Sequence, residues 1–178
     1  MTDCQPWQLL HVKQVMTRRT HFNNAAQLPL RKVAGVLLWL WALPLTLCGM
    51  CLWVGVRLEQ LIFKSKHAKA YVITAQPATV LIAHSPSLHW LLQHHPFGPM
   101  DAMAIGCCVV ARDAATLQGT LAHELVHVQQ ALHWGPLFPL AYAACSAWAF
   151  ATGGCAYADN AFERQAQRAD TCARMHTP

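Results

Sequence analysis

From Val33 to Val56 the chain runs for 24 residues without a charge, VAGVLLWLWALPLTLCGMCLWVGV. A helix of that length rises about 36 Å, more than the roughly 30 Å hydrocarbon core of a bilayer. A chain of 178 residues cannot surround such a helix with protein on every side, so the run reads as a lipid-facing anchor. A cleavable secretory leader fits less well. Its apolar region is usually about 7–15 residues long and ends at a small-residue cleavage site, and no such site is evident here. Pro44 is expected to kink the helix, and Arg31-Lys32 and Arg57 bracket it. Composition agrees: charged residues make up only 12%, against about 25% in soluble domains. The expected organisation is a polar tail over 1–30, a transmembrane anchor over 31–57 and a folded domain over 58–178. Five basic residues (Lys13, Arg18, Arg19, Arg31, Lys32) precede the anchor and four (Arg57, Lys64, Lys66, Lys69) follow it. That asymmetry is too small to orient the protein. The net charge is +5, but no basic stripe interleaves with aromatics, which excludes a nucleic-acid surface. Membrane lipid is the expected partner.

Past the anchor the pattern is mixed. Thr79–Ala83 and Ala104–Val110 are candidate strands, with Gly106 weakening the second or marking a close backbone approach. The segment from His84 to Met100 reads as a loop holding a short helix around Leu88–Leu92. Thr116 to Leu132 has helical spacing and ends at Gly135-Pro136. Leu137–Ala151 is apolar, and Gly153-Gly154 breaks it. Asn160 is placed to cap a last helix that runs to about Met175. Of the eight cysteines, Cys48 and Cys51 lie three apart inside the apolar run and read as small apolar filler. Cys107 and Cys108 would point to opposite faces of a strand.

The residues that carry chemistry are His123-Glu124-Leu125-Val126-His127, an H-E-x-x-H sequence on a predicted helix. Side chains four apart share a helix face, so both imidazoles can meet one metal ion. Zinc suits imidazole nitrogen. Glu124 lies beside the metal rather than on it, where it can take a proton from an activated water. Thr120, Leu121, Ala122, Leu125, Val126 and Val128 are uncharged, as such a site requires, and Gln129 departs from the apolar norm.

A catalytic zinc needs a third protein ligand, and downstream stands Asn160-Ala161-Phe162-Glu163-Arg164-Gln165-Ala166, continuing to Asp170. Together the two segments resemble the gluzincins, zinc metallopeptidases in which a Glu on a later helix completes a His/His/Glu site. The chain also looks like small bacterial membrane-associated domains of that type. The resemblance spans roughly Ala104 to Asp170. It implies an α+β, minimal zincin-like domain: a short sheet, the motif helix and a second ligand helix. It also implies one zinc per chain on His123, His127 and Glu163, with Glu124 as general base. Ala104–Val110 would be the edge strand that binds extended substrate. Asp170, two turns past Glu163, would hold a ligand histidine through its other ring nitrogen, and Tyr142 and Tyr157 are candidate oxyanion donors. His133 lies about 240° round the helix from His127 and points away. His84, His94 and His95 read as loop residues.

Leu137–Ala151 constrains the topology. A full crossing there would put Glu163 on the opposite side of a bilayer from His127, and one ion could not hold both. About 15 residues are also short of the roughly 20 a span needs. The stretch is therefore either domain core or a helix lying at the interface. The expected function is zinc-dependent hydrolysis of peptide bonds in a peptide or protein substrate, at a membrane, the bacterial inner membrane by resemblance. A membrane-protein partner remains open. Two alternatives stand: a non-catalytic zinc-binding module acting as regulator or assembly factor, and a redox or metal-handling protein using Cys48 and Cys51.

Overall fold

The computed structural model of the chain describes residues 35–75, 78–96 and 98–174. Period-two alternation in short apolar segments builds its centre, a mixed four-stranded sheet. β1 (Lys69–Ala75) and β2 (Ala78–His84) pair antiparallel, Lys69 opposite His84. β4 (Cys108–Ala111) runs parallel to β2, and β3 (Ala102–Ile105) pairs antiparallel to β4 at the edge, giving the order β1-β2-β4-β3. Alternate residues go to opposite faces. Val80, Ile82, Val109 and Ala111 join one core cluster, and Ala83, Cys108 and Val110 join another.

The first cluster is closed by α3 (Ala114–Trp134) through Leu117, Val128 and Leu132. The second is closed by α1 (Leu43–Phe63) through Val56, Leu52 and Trp53, and by α2 (Pro86–Gln93) through Leu88 and Leu92. After α3 a short 3₁₀ turn, Gly135–Leu137, leads into α4 (Phe138–Ala151), and α5 (Ala161–Arg174) returns against α3. The chain is thus mixed α/β, with five helices among the described residues.

Four expectations change. The apolar run is not one helix: residues 35–41 are helical, the chain turns at Ala42 ahead of Pro44, and α1 then continues past Arg57 to Phe63. Ala104–Val110 is not one strand but most of a hairpin turning at Gly106-Cys107. There α1 approaches backbone to backbone. A Cβ on Gly106 (φ 60°) would lie 2.4 Å from Thr46 N, and one on Gly49 would lie 2.4 Å from Cys108 Cβ. The Cys107 N–H donates to Thr46 Oγ1 at 3.1 Å. β1 was not anticipated, and His84 ends a strand rather than sitting in a loop. The polar segment 1–30 lies outside the described residues.

The surface of α1 bears on its reading as an anchor. It is long and apolar enough to cross a membrane by length and composition, yet its inner side packs along the sheet. Its outer side exposes Leu47, Val54, Leu58, Leu61, Ile62 and Phe63. α4 behaves similarly. Only Phe138 and Ala149 are buried, while Trp148 is 72% and Phe150 74% exposed. Most of this stretch is thus exposed, while Phe138 and Tyr142 face α3 and α5.

Candidate metal centre

α3 begins where Asp113 Oδ1 accepts from the Thr116 N–H at 2.8 Å, supplying a partner for a first-turn amide. From there the helical repeat carries His123, Glu124 and His127 to buried positions under α5. α5 begins at buried Asn160. Its Oδ1 accepts from the Phe162 N–H at 2.9 Å, and its Nδ2 donates to Tyr142 O and Ser146 Oγ on α4. This ties the ends of α4 and α5 together and brings Glu163 over α3. Ala166, fully buried one turn later, has no bulk to hold the two helices apart.

The three side chains converge. His127 Nε2 lies 3.0 Å from His123 Nε2, Glu163 Oε1 lies 3.1 Å from His127 Nε2, and Glu163 Oε2 lies 3.3 Å from His123 Nε2. Buried His123, His127 and Glu163 together form a group that could hold a metal ion. Each ligand has a holder behind it. His127 Nδ1 donates to Gln130 Oε1 at 2.8 Å, and Gln130 Nε2 donates to Phe162 O and Gln165 Oε1 on α5. His123 Nδ1 faces Asp170 Oδ2 at 3.4 Å. Such partners fix which ring nitrogen keeps its lone pair. The Tyr142 hydroxyl donates to Glu163 Oε1 at 2.8 Å, and Tyr157 also hydrogen-bonds Glu163. Both tyrosines, anticipated as oxyanion donors, are thus engaged with the carboxylate. Phe138, Tyr142 and Phe162 form an aromatic wall beside His127.

The electrostatics ask for positive charge. Burial disfavours the imidazolium of His123 and of His127, but the hydrogen bond to Glu163 and the nearby carboxylates outweigh it and raise both. Burial alone would raise Glu163, yet hydrogen bonds from the two imidazoles hold it well below the usual carboxylate range. Burial pushes Glu124 up to about 7 against the pull of His127 and His123. Its Oε2 is buried without a hydrogen-bond partner.

Comparison of the chain with protein-family models, curated proteins and solved structures gives no match. The site therefore rests on its own geometry. Of the anticipated residues, His123, His127 and Glu163 form the cluster, Asp170, Tyr142 and Tyr157 hydrogen-bond or face its members, and Glu124 is buried and interacts with both imidazoles through charge. His133 is exposed and Cys48 and Cys51 lie on the outer side of α1, so none of the three joins the cluster. Sequence reasoning missed Gln130 and the wall formed by Phe138 and Phe162. Gln130 stands three residues after His127, a spacing at which helix side chains meet, and that was the available signal.

Proposed function

We propose that the chain is a zinc-dependent peptidase associated with a membrane. The observation that carries this reading is the convergence of two imidazoles and a carboxylate on one point, with a second, unpartnered carboxylate oxygen buried beside them. Zinc fits the donor set. Two imidazole nitrogens 3.0 Å apart, with one oxygen of Glu163 3.1 Å from His127 Nε2 and the other 3.3 Å from His123 Nε2, are the nitrogen and oxygen donors that zinc takes. His123, His127 and Glu163 would hold the ion. When bound, it would supply Lewis-acid polarisation of a carbonyl and of water.

The chain's own residues supply the rest. Gln130 and Asp170 keep the Nδ1 protons in place, so both Nε2 lone pairs point inward. Tyr142 and Tyr157 orient the Glu163 carboxylate. Glu124, with an affinity for protons near neutrality, accepts one from water at its free oxygen and returns it to the leaving amine. β3 is the edge strand packed on α3. An extended peptide added to its outer edge would gain main-chain hydrogen bonds alongside the cluster. The exposed apolar sides of α1 and α4 are the surfaces offered to lipid.

Two isosteric variants test this. Glu124→Gln should keep one zinc per chain and lower cleavage of a peptide library by roughly 10²–10⁴-fold. Glu163→Gln should weaken zinc affinity itself. A Glu124→Gln protein that cleaves at the wild-type rate would remove Glu124 as the general base, and a zinc-loaded parent that cleaves nothing in the library would leave a non-catalytic metal module.

A further inference from the structure

A second constellation lies at the other end of α3. β2 and β4 run parallel, and the helices that follow them leave to opposite faces of the sheet, α2 to one and α3 to the other. Adjacent parallel strands whose connections diverge in this way leave a crevice beyond their C-terminal ends, where α/β sheets bind ligands. Here it is an open cleft of about 620 Å³, bordered by the first turns of α2 and α3. Its charged and imidazole side chains are Lys66, Lys69, Arg112, His67, His84 and His89, with Asp113 the one carboxylate.

Asp113 is already engaged, capping α3 through Thr116 N and Oγ1. Arg112 gives Nη2 to Asp101 at 2.8 Å, but its Nε is buried with no hydrogen-bond partner. Buried donors are normally satisfied. His84 is 5% exposed, and burial and then the charge of Lys69 hold it below its ordinary value against the opposing pull of Asp113. His123 lies roughly 13 Å further along α3 by helical rise, so the cleft is separate from the metal centre.

We propose that this cleft is a binding site for a phosphate-class oxyanion. Lys66, Lys69 and Arg112 contribute charge and the imidazoles ring nitrogens, a set suited to a tetrahedral oxyanion. Helix N-termini directed at the same space add favourable dipoles. Lys66 and His67 lie three and four residues after Phe63, which with Leu61 and Ile62 exposes its apolar side chain at the end of α1. The anion can therefore come from a phospholipid headgroup or from a soluble phosphate ester.

The test is calorimetric titration of the full chain in neutral detergent micelles at constant ionic strength, with inorganic phosphate as probe. Saturable binding is expected. The Lys66→Gln/Lys69→Gln double variant, whose positions are exposed and so spare the fold, should weaken it by roughly tenfold per lost cation. Arg112→Gln should weaken it as well, and His123→Ala should leave it unchanged. Displacement of phosphate by phosphatidylglycerol doped into the micelles assigns the site to lipid, and displacement by glycerol phosphate alone assigns it to a soluble ester. Absence of saturable binding, or an affinity the double variant does not alter, overturns the proposal. So does loss of binding in His123→Ala, which would place phosphate on the metal cluster.

Discussion

α1 and α3 are both 21 residues long and cover opposite faces of the same sheet, yet they differ in what they bury and what they expose. α3 follows the rule for a helix in water on its outer side, showing Gln118 and Gln129 to solvent. Against α5 it breaks that rule, burying His123, Glu124, His127 and Gln130. Burying four polar side chains is costly unless they satisfy one another or a ligand, and that is why α3 marks a site. α1 breaks the rule the other way. Its inner side is small and partly polar only near its start, with Thr46 and Gly49 against the β3–β4 turn, and apolar further on at Leu52, Trp53 and Val56, while its outer side also shows leucine, valine and phenylalanine. One helix thus buries a group that could hold a metal ion, and the other is long and apolar enough to cross a membrane.

The largest effect should come from disturbing the inner side of α1. A side chain on Gly49 meets Cys108 Cβ at 2.4 Å and Ile105 O at 2.7 Å, and neither can rotate away. Gly49→Val is expected to destabilise the chain by about 3 kcal/mol through overpacking, read by chemical denaturation in detergent micelles. Since Cys108 lies in the core cluster on the face of the sheet away from α3, loss of the metal centre should follow unfolding rather than precede it. A variant as stable as the parent would mean that α1 is not docked on the sheet and acts as a free anchor.

The next effect is on α3. Gln130→Ala removes the acceptor behind His127 and the two donor contacts to α5, with the ligand trio intact. Partners of this kind typically account for 10–100-fold in metal affinity, so zinc should bind roughly 10–100-fold more weakly, measured by competition with a chromophoric chelator. An unchanged affinity would reduce Gln130 to a link between helices.

How far each helix was legible follows from the range of its determinants. The metal ligands were legible because H-E-x-x-H is a local pattern and Glu163 sits in a second local pattern beside a small residue, Ala166. Gln130 was not, since an amide on a helix looks alike whether it meets water or an imidazole; only the arrival of α5 decides. The apolar run was legible as composition, but its helix ends were not. Pro44 sets one end and Lys64, in the left-handed region at φ 48°, marks the other, so charge alone misplaces both. The β3–β4 hairpin hid inside an apolar heptapeptide because Gly106-Cys107 lacks the Asn-Gly or Asp-Gly turn signal. β1 was missed because Lys69 and Tyr71 face outward on a strand with little apolar alternation.

The smallest effect bears on what the outer side of α1 meets. Leu58 is 49% exposed there, so it contributes little to the fold whatever surrounds it. If lipid covers that side, Leu58→Ser forfeits the transfer free energy of about half an aliphatic side chain, about 1 kcal/mol. Partition into lipid vesicles should then fall roughly fivefold, since 1.4 kcal/mol is tenfold, while the denaturation midpoint stays put. The matching change on α3, Gln118→Leu, should leave partition unaltered, because that side of α3 faces water. Sedimentation with sucrose-loaded vesicles measures both. Partition that ignores Leu58→Ser would remove lipid contact from this part of α1 and leave α4, with Trp148 and Phe150 exposed, as the surface that holds the chain to the membrane.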